Sequence, residues 1–292
     1  MNLVEFQQKF SSEQECLNYL EKARWGDKAI CPHCGSIKTY RFKSGVLFKC
    51  GDCRKQFTAK VGTIFSDSKV PLYKWFLAIY LATSLKKGIS SVQLSKYAGV
   101  TQKTAWFMLQ RIRFALEKGN GDLLSGNVEV DETYVGGKAQ NRAYKKVAEK
   151  AVVFGMVERD GNSKLKHVRS SVARVLLPEI SKSVVTASQI HSDQWGAYKT
   201  LPQRGYNHSV VNHVTQQYVT DLSHTQNIEN IWSQLKRSIY GIYHHVSPKH
   251  LQKYCSETEY RYNTRKMTDI ERFYAWFLRS NNRLKYKELI NA

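Results

Sequence analysis

The sequence predicts an α/β fold in which a mixed β-sheet is flanked by helices and preceded by two small modules. Two observations lead to this prediction. Strand-like runs at 128–133, 151–158 and 164–170 are followed by alternating helical and strand-like segments, an order typical of a mixed sheet with helices on its faces. The part before residue 121 differs, because it has two C-x-x-C pairs and then a long run of helical patterns.

The composition points to a polyanionic partner. The 292 residues include 45 Lys and Arg against 24 Asp and Glu, a formal net charge of +21. Basic residues are spread over the whole length, which favours nucleic acid as the partner over a merely soluble basic surface. No apolar run reaches the roughly 18 residues that span a membrane, and the first residues lack a signal-peptide pattern. We therefore expect a cytoplasmic protein that does not bind membranes.

Four of the six cysteines predict a metal site. Residues 1–25 first give a short amphipathic pattern, which predicts an N-terminal helical segment. Cys31 and Cys34 then form one C-x-x-C pair, and Cys50 and Cys53 form a second, the spacing of a zinc ribbon at 26–66. Four thiolates close a tetrahedral site, so one structural Zn²⁺ is expected. A redox role is disfavoured because a second pair is unnecessary for it.

Residues 67–120 predict a helix-turn-helix domain. Ser90 or Ser91 can cap one short helix, Gly99 ends it, and Thr101 can cap the next. The second helix of this motif enters the DNA groove by its first residues. The alternative is an ordinary helical hairpin that packs on the following domain. The candidate DNA-binding residues here are Gln102, Lys103, Thr104 and Arg111.

Glycines and polar residues at 118–122 mark the boundary of the last domain, at 121–292. Three antiparallel strands, then helices alternating with strands that end near 193 and 213, give the element order of an RNase H-like domain. Basic helices follow from Pro248 onward. Between the first two strands lies a basic loop at 138–146, which is either solvated or a DNA clamp; its candidate DNA-binding residues are Lys145 and Lys146.

Three carboxylates in this domain predict a site for two divalent cations. Asp131 lies in the first strand, Asp193 ends a later one, and Glu229 lies in a helical stretch that also contains Lys236. Carboxylate oxygens are the ligands that Mg²⁺ and Mn²⁺ prefer, and two such ions can promote phosphodiester hydrolysis. Lys236 and Arg237 can hold a phosphate by charge, or they are a solvated helix face. The alternative ligands are Glu129 first, then Asp221 and Glu257.

Together these segments resemble a known family: bacterial insertion-sequence transposases of the DDE type that have an N-terminal zinc ribbon and are related to the Merlin transposon superfamily. The resemblance spans nearly the whole chain. Its motifs read CPHCG, CGDCRKQF, VGTIFSDSKVPLYKW, VEVDETYVGGK, IHSDQWGAY, HTQNIENIWSQLKRSIYGIYHHVSPKHL and YRYNTR.

The resemblance implies a reaction and its residues. Asp131, Asp193 and Glu229 would be the metal-binding triad and Lys236 the accompanying basic residue, on an RNase H-like fold. The implied activity is hydrolysis at transposon ends followed by joining of the 3′-hydroxyl to target DNA. The implied partner is double-stranded DNA, bound at terminal inverted repeats by at least a homodimer. Two rivals remain: a structure-selective nuclease or resolvase of the same fold, and a non-enzymatic DNA-binding regulator.

Overall fold

The computed structural model describes residues 1–117, 121–136, 150–210, 225–281 and 283–291. The chain divides into two compact units, one formed by residues 1–116 together with 267–292 and the other by residues 117–266. We call them the outer unit and the sheet unit. The chain thus leaves the outer unit and later returns to it. This differs from the prediction that 121–292 forms one domain, since its last helices pack in the outer unit.

The elements follow in chain order. Before residue 117 they are α1 (Leu3–Lys9), α2 (Glu13–Trp25), β1 (Thr39–Arg41), β2 (Phe48–Cys50), β3 (Gln56–Phe57), α3 (Leu72–Ser84), α4 (Ser91–Ala98) and α5 (Gln102–Leu116). The sheet unit contains β4 (Asn127–Val135), β5 (Ala151–Glu158), β6 (Ser163–Val168), α6 (Ala173–Ser183), β7 (Gln189–Ser192), β8 (Asn207–Val210), α7 (Gln226–Ser238) and α8 (Pro248–Asn263). The last two helices are α9 (Asp269–Phe277) and α10 (Tyr286–Asn291). None of the described helices is long and apolar enough to cross a membrane.

The helix-turn-helix connectivity is present in α4 and α5. The Ser90 side chain accepts a hydrogen bond from the Gln93 N–H and caps α4. Gly99 ends α4 in the left-handed conformation, which glycine adopts without steric cost. Thr101 accepts a hydrogen bond from the Thr104 N–H at the start of α5. The three local signals predicted from the sequence therefore form this turn.

Aromatic side chains explain why α9 belongs to the outer unit. Phe273 contacts Phe6 and Phe76 edge-on, with ring centroids 4.8 and 5.7 Å apart, and Phe277 contacts Phe76 at 4.9 Å. The Trp276 indole donates to the Ile112 carbonyl. Large buried rings dominate the energy of a core, so α9 completes the core that α1 and α3 begin.

The sheet unit has the strand order β6-β5-β4-β7-β8. β5 is antiparallel to both β4 and β6, whereas β7 is parallel to β4 and β8 is parallel to β7. β4, the first strand of this unit in sequence, is thus the middle strand of a mixed five-stranded sheet. This order and these directions confirm the predicted RNase H-like fold class.

Alternating residues of β5 divide the core of this unit between two faces. Phe154 packs in the same cluster as α6 residues such as Leu176, whereas Val153 packs with Ile228 of α7 and Leu251 of α8. Side chains of a strand point alternately to its two faces. The sheet is therefore covered by α6 on one face and by α7 and α8 on the other, and the second face carries the site.

Candidate functional site

Asp131 and Asp193 lie at the same end of two neighbouring strands. β4 and β7 are parallel, with Glu129 opposite His191. Two residues further along, Asp131 is level with Asp193, which directly follows the last residue of β7. Burial is the main cause that raises the pKa of Asp131 to about 6, and the negative charges of Asp193 and Glu229 add to it. The three predicted carboxylates therefore share one electrostatic environment.

Glu229 reaches this region from α7. It lies in the first turn of the helix, is exposed, and accepts a hydrogen bond of 3.3 Å from the Thr225 hydroxyl. Lys236 lies in the last turn of the same helix and is half-buried. Seven residues are about two helical turns, so Glu229 and Lys236 lie on one side of α7. A negative and a positive side chain thus line the same helix surface.

Trp232 connects α7 directly to Asp131. Its indole Nε1 donates a hydrogen bond of 2.8 Å to Asp131 Oδ2. This bond lowers the pKa of Asp131 against the effect of burial, because it favours the charged carboxylate. The amphipathic pattern of α7 predicts only that Trp232 is apolar and buried. Its donor function was missed, and the signal that could have found it is that a buried indole N–H requires an acceptor.

Gly155 makes room for the Trp232 indole. It lies opposite Asp131 in the register of β4 and β5. A Cβ at this position would be 2.4 Å from Trp232 Cη2 and 2.6 Å from Ile228 Cδ1, distances that real Cβ atoms do not tolerate. The absence of a side chain at residue 155 therefore lets α7 approach the sheet closely enough for the indole to reach Asp131.

Glu129 anchors the start of α7. Its side chain is fully buried, and its Oε2 accepts the main-chain N–H groups of Asn227 at 2.9 Å and Ile228 at 3.1 Å. Its Oε1 accepts from Asn227 Nδ2 at 2.9 Å and from Arg159 Nε at 3.1 Å. The carboxylate thus caps the helix, where a negative charge is favourable. Thr225, the residue before the helix, makes no side-chain cap.

Two of the three alternative cation ligands are engaged by other groups. Both oxygens of Glu129 are engaged in fixing α7, which corrects the expectation that it is the first alternative. Glu257 is likewise engaged, since it accepts from Arg261 Nη2 and from the Tyr243 hydroxyl. Asp221 lies outside the described residues.

Glu132 is a fourth carboxylate near the site. It lies on the opposite face of β4 from Asp131, where the Tyr198 hydroxyl donates to its Oε2. Burial chiefly raises the pKa of Glu132 to about 7, and the charges of Asp131 and Asp193 contribute. Strand alternation correctly predicts that Glu132 points away from Asp131. It does not predict that the side chain is half-buried and accepts a hydrogen bond from Tyr198.

The donor set of the three carboxylates fits a hard divalent cation. Each has one oxygen oriented by a neighbouring donor: the Trp232 indole for Asp131, the Trp195 main-chain N–H for Asp193, and the Thr225 hydroxyl for Glu229. Within the described ranges only the four zinc-ribbon cysteines have ligand atoms all within 4.8 Å of one another. The three carboxylates do not form such a group, but Mg²⁺ prefers carboxylate oxygens and keeps several waters, so it requires few protein ligands.

The zinc-ribbon cysteines form a separate cluster in the outer unit. The Sγ atoms of Cys31 and Cys53 are 3.7 Å apart, and those of Cys34 and Cys50 are 3.6 Å apart. Tetrahedral zinc with Zn–S bonds of about 2.3 Å separates its sulfurs by about 3.8 Å. The cluster therefore has the size of a Zn²⁺ site, and all four ligands come from protein thiols, as in a structural site.

Apart from Arg111, the predicted DNA-binding residues divide into three groups. Gln102 and Lys103 are exposed and Thr104 is half-buried at the start of α5, where Gln102 Nε2 donates to the Ser91 hydroxyl and Lys103 Nζ lies 5.7 Å from the Tyr286 ring. Arg237 is exposed on α7 and donates to Ser233 Oγ. The third group, Lys145 and Lys146, lies outside the described residues.

Arg111 has a different role from the one predicted. It is only 6% exposed, and its guanidinium donates to the main-chain carbonyls of Leu284, Ile64 and Ser66. Burial lowers its pKa. The structure corrects its assignment as a DNA-binding residue, because a guanidinium committed to three buried carbonyls stabilises the outer unit and does not reach solvent.

Comparisons with known proteins identify both modules. Residues 11–56 match the transposase zinc-ribbon domain, and residues 123–263 match the ISXO2-like transposase domain. A protein from Halobacterium salinarum, described as an uncharacterized protein in transposable element ISH50, is 28% identical over 251 residues, which cover 78% of this chain and 83% of that protein.

Two solved structures show distant likeness. The Mos1 strand transfer complex has a TM-score of 0.27 at 12% identity and covers 66% of this chain and 70% of its own. A pre-cleavage Mos1 transpososome has a TM-score of 0.23 at 9% identity and covers 67% and 75%. The fold assignment rests on the sheet order instead, and the family assignment rests on the two matched domains. The chain is a member of the insertion-sequence transposases of the DDE type that carry an N-terminal zinc ribbon.

Proposed function

We propose that the protein binds the terminal inverted repeats of a transposable element, cleaves there by metal-assisted hydrolysis, and joins the freed 3′-hydroxyl to target DNA. One observation carries this proposal. Asp131 and Asp193 lie at the same end of two neighbouring parallel strands, and the charges of Asp193 and Glu229 both act on Asp131. A cluster of carboxylates in a chain of net charge +21 is suited to phosphodiester chemistry, because polyanionic DNA is drawn to the chain while the carboxylates hold cations.

Asp131, Asp193 and Glu229 would hold two Mg²⁺ or Mn²⁺ ions, which when bound neutralise phosphate charge and supply a nucleophile near neutral pH. Trp232 keeps the Asp131 carboxylate oriented and ionised by its hydrogen bond. Lys236 supplies a positive charge on the same side of α7 as Glu229, where it holds a phosphate of the DNA strand. One structural Zn²⁺ is assigned to Cys31, Cys34, Cys50 and Cys53.

DNA recognition is assigned to the outer unit and to α7. The exposed start of α5 presents Gln102, Lys103 and Thr104 to a groove, and Arg237 contacts the DNA backbone. The basic segment with Lys145 and Lys146 is assigned to DNA backbone contact on its sequence alone. Because a transposition event joins two ends, we propose that the protein acts as a homodimer or larger oligomer on DNA.

The central experiment incubates the protein with labelled DNA carrying candidate element ends, a target plasmid and Mg²⁺ or Mn²⁺. Wild type is compared with Asp193→Asn and with Asp122→Asn, a matched control at an exposed carboxylate of the same unit. Joined products that disappear only in Asp193→Asn support the proposal. Cleavage without joining would favour the nuclease or resolvase. Binding without either reaction, unchanged in Asp193→Asn, would favour the regulator.

A second experiment tests the DNA-binding assignment through its salt dependence. If roughly six to ten phosphates are contacted, affinity falls about 10³- to 10⁵-fold between 50 and 200 mM salt. Lys103→Ala is expected to reduce the slope of log affinity against log salt by about 0.9. Lys182→Ala is the matched control, because Lys182 is exposed but pairs with Glu179. An equal slope for wild type and Lys103→Ala would remove Lys103 from the interface.

A further inference from the structure

Two half-exposed aromatic side chains lie near the strand ends that supply Asp131 and Asp193, and neither ring takes part in the proposed hydrolysis. Trp195 is 49% exposed and Tyr134 is 47% exposed. Aromatic rings of this size usually lie in a core, so exposing two of them beside a polar site costs hydrophobic stabilisation. Exposed apolar groups that adjoin a polar site are typical of binding surfaces.

Both rings come from the strand ends that supply the carboxylates. Trp195 follows Asp193 by two residues, and its main-chain N–H donates a hydrogen bond of 3.0 Å to Asp193 Oδ1. Tyr134 lies on β4, three residues after Asp131 and therefore on the opposite face of that strand. A DNA strand held at Asp193 therefore passes close to the Trp195 ring.

A single residue, Ser171, holds both rings in place. The Trp195 Nε1 donates to the Ser171 carbonyl at 3.1 Å, and the Tyr134 hydroxyl shares a hydrogen bond of 3.0 Å with the Ser171 hydroxyl. Both bonds use atoms at the ring edge and leave the π faces out of the bonding. Rings that are fixed before binding lose little conformational entropy when a ligand stacks on them. The arrangement is therefore suited to stacking.

The charge around Ser171 selects the kind of ligand. Arg169 and Arg174 lie on either side of it in sequence and are both exposed. Aromatic rings flanked by cations are the combination that binds single-stranded nucleic acid, with the rings under the bases and the cations along the backbone. Bases inside a duplex are already stacked on their neighbours, so only an unpaired base can use these rings.

We propose that Trp195 and Tyr134 form a stacking platform for an unpaired base of the DNA strand whose phosphodiester lies at Asp131 and Asp193. This inference rests on the proposed DNA cleavage function and adds to it. It assigns a preference for DNA that is locally unpaired next to the scissile phosphate. A stacked base is expected to add about fivefold to 150-fold in affinity.

The test uses the full-length protein without added Mg²⁺ or Mn²⁺, so that DNA is bound but not cut. The probes are an element-end duplex with a single-stranded overhang that carries 2-aminopurine at successive positions, and the same duplex with a blunt end. Wild type is expected to bind the overhang probe at least fivefold more tightly and to change the 2-aminopurine emission at one or two adjacent positions. Affinities for both probes and the emission are measured for every variant.

Two pairs of variants separate stacking from folding. Trp195→Leu removes the ring and is expected to abolish both the overhang preference and the emission change, whereas Trp195→Phe keeps a ring and should retain most of both. Tyr134→Leu is likewise expected to abolish the overhang preference and the emission change, and Tyr134→Phe should retain most of both. Tyr97→Leu, at an exposed tyrosine of α4, should affect both probes equally or neither.

The outcomes distinguish this inference from the proposed function. If Trp195→Leu keeps the wild-type overhang preference and emission change, the stacking platform is overturned while DNA binding stands. If wild type binds both probes equally and the emission is constant, the platform is also overturned. If neither probe is bound at all, the proposed function fails together with it.

Discussion

The indole of Trp232 donates a hydrogen bond of 2.8 Å to the Asp131 carboxylate, which links helix α7 to the middle strand of the sheet. The bond lowers the pKa of Asp131, whereas burial raises it to the net value of about 6. Trp232 is therefore a positioning residue: it sets both the orientation and the charge of a proposed cation ligand.

Trp232→Phe is expected to slow DNA cleavage by about tenfold or more at pH 6.5, since a hydrogen bond to a charged group contributes about 1.5–3 kcal/mol. Loss of the bond raises the Asp131 pKa further, so more of the carboxyl is protonated at this pH and cation binding weakens. The loss should be smaller at pH 8.5 and with more Mn²⁺. Cleavage rates as a function of pH and metal concentration provide the measurement. A loss that is the same at both pH values would argue that Trp232 acts only through packing.

Gly155→Ala is expected to destabilise the sheet unit and to reduce cleavage. The new Cβ would lie 2.4 Å from Trp232 Cη2, so the rigid indole must move and its bond to Asp131 is lost. Overpacking of this kind costs about 1–3 kcal/mol. Gly241→Ala is the matched control, because a Cβ there has no atom within 4 Å. The measurements are the thermal unfolding temperature and the cleavage rate of both variants. If Gly155→Ala equals Gly241→Ala in both, the indole does not need the space at residue 155.

Glu129→Gln is expected to lower the free energy of unfolding by about 3–5 kcal/mol, as breaking a buried ion pair does. The change removes the charge that pairs with Arg159 and caps α7. Glu179→Gln is the control: its ion pair with Lys182 is at the surface, where such pairs contribute about 0–1 kcal/mol. Denaturant unfolding measures the free energy of unfolding of both variants. Isothermal titration with Mn²⁺ should show that the folded Glu129→Gln protein keeps its cation affinity, and a loss would return Glu129 to the ligand set.

Glu132→Gln is expected to stabilise the protein at pH 8 but not at pH 4. The folded-state pKa of Glu132 is raised from 4.5 to about 7, so its charged form is disfavoured by folding. Between these values the folded state binds a proton that the unfolded state has lost, so stability falls as pH rises through this window. Glutamine cannot ionise and still accepts the Tyr198 hydrogen bond. Melting temperatures without Mg²⁺ or Mn²⁺ at both pH values test the sign; a gain at pH 4 would refute it.

Removal of one zinc ligand is expected to release the metal and unfold the ribbon. Cys31→Ser should reduce the zinc content from one ion per chain to near zero, because a structural site needs all four thiolates. Cys16→Ser is the control, since Cys16 is buried in α2 and is not part of the cluster. Metal analysis and limited proteolysis give the readout. Full zinc content in Cys31→Ser would contradict the assignment.

Local patterns predicted most strand positions and the caps of α4 and α5, because these features depend on neighbouring residues. The strand-like run at 151–158 predicts β5 to the residue, and Thr101 caps α5 as expected. Side chains whose partners are distant in sequence were harder. Glu129 had the appearance of a metal ligand, yet its donors lie about a hundred residues away at the start of α7. Arg111 had the appearance of a DNA contact, yet its acceptors belong to three separate segments.

The return of the chain to the outer unit affects how the protein folds during synthesis. Phe6 and Phe76 are made early, but Phe273 and Phe277, which cover them, leave the ribosome only after the whole sheet unit has been translated. A chain that stops near residue 116 therefore keeps an uncovered aromatic surface. Translation products that end near residue 116 are therefore expected to aggregate or to be degraded, so a fragment with only the N-terminal zinc ribbon and helix-turn-helix should not accumulate.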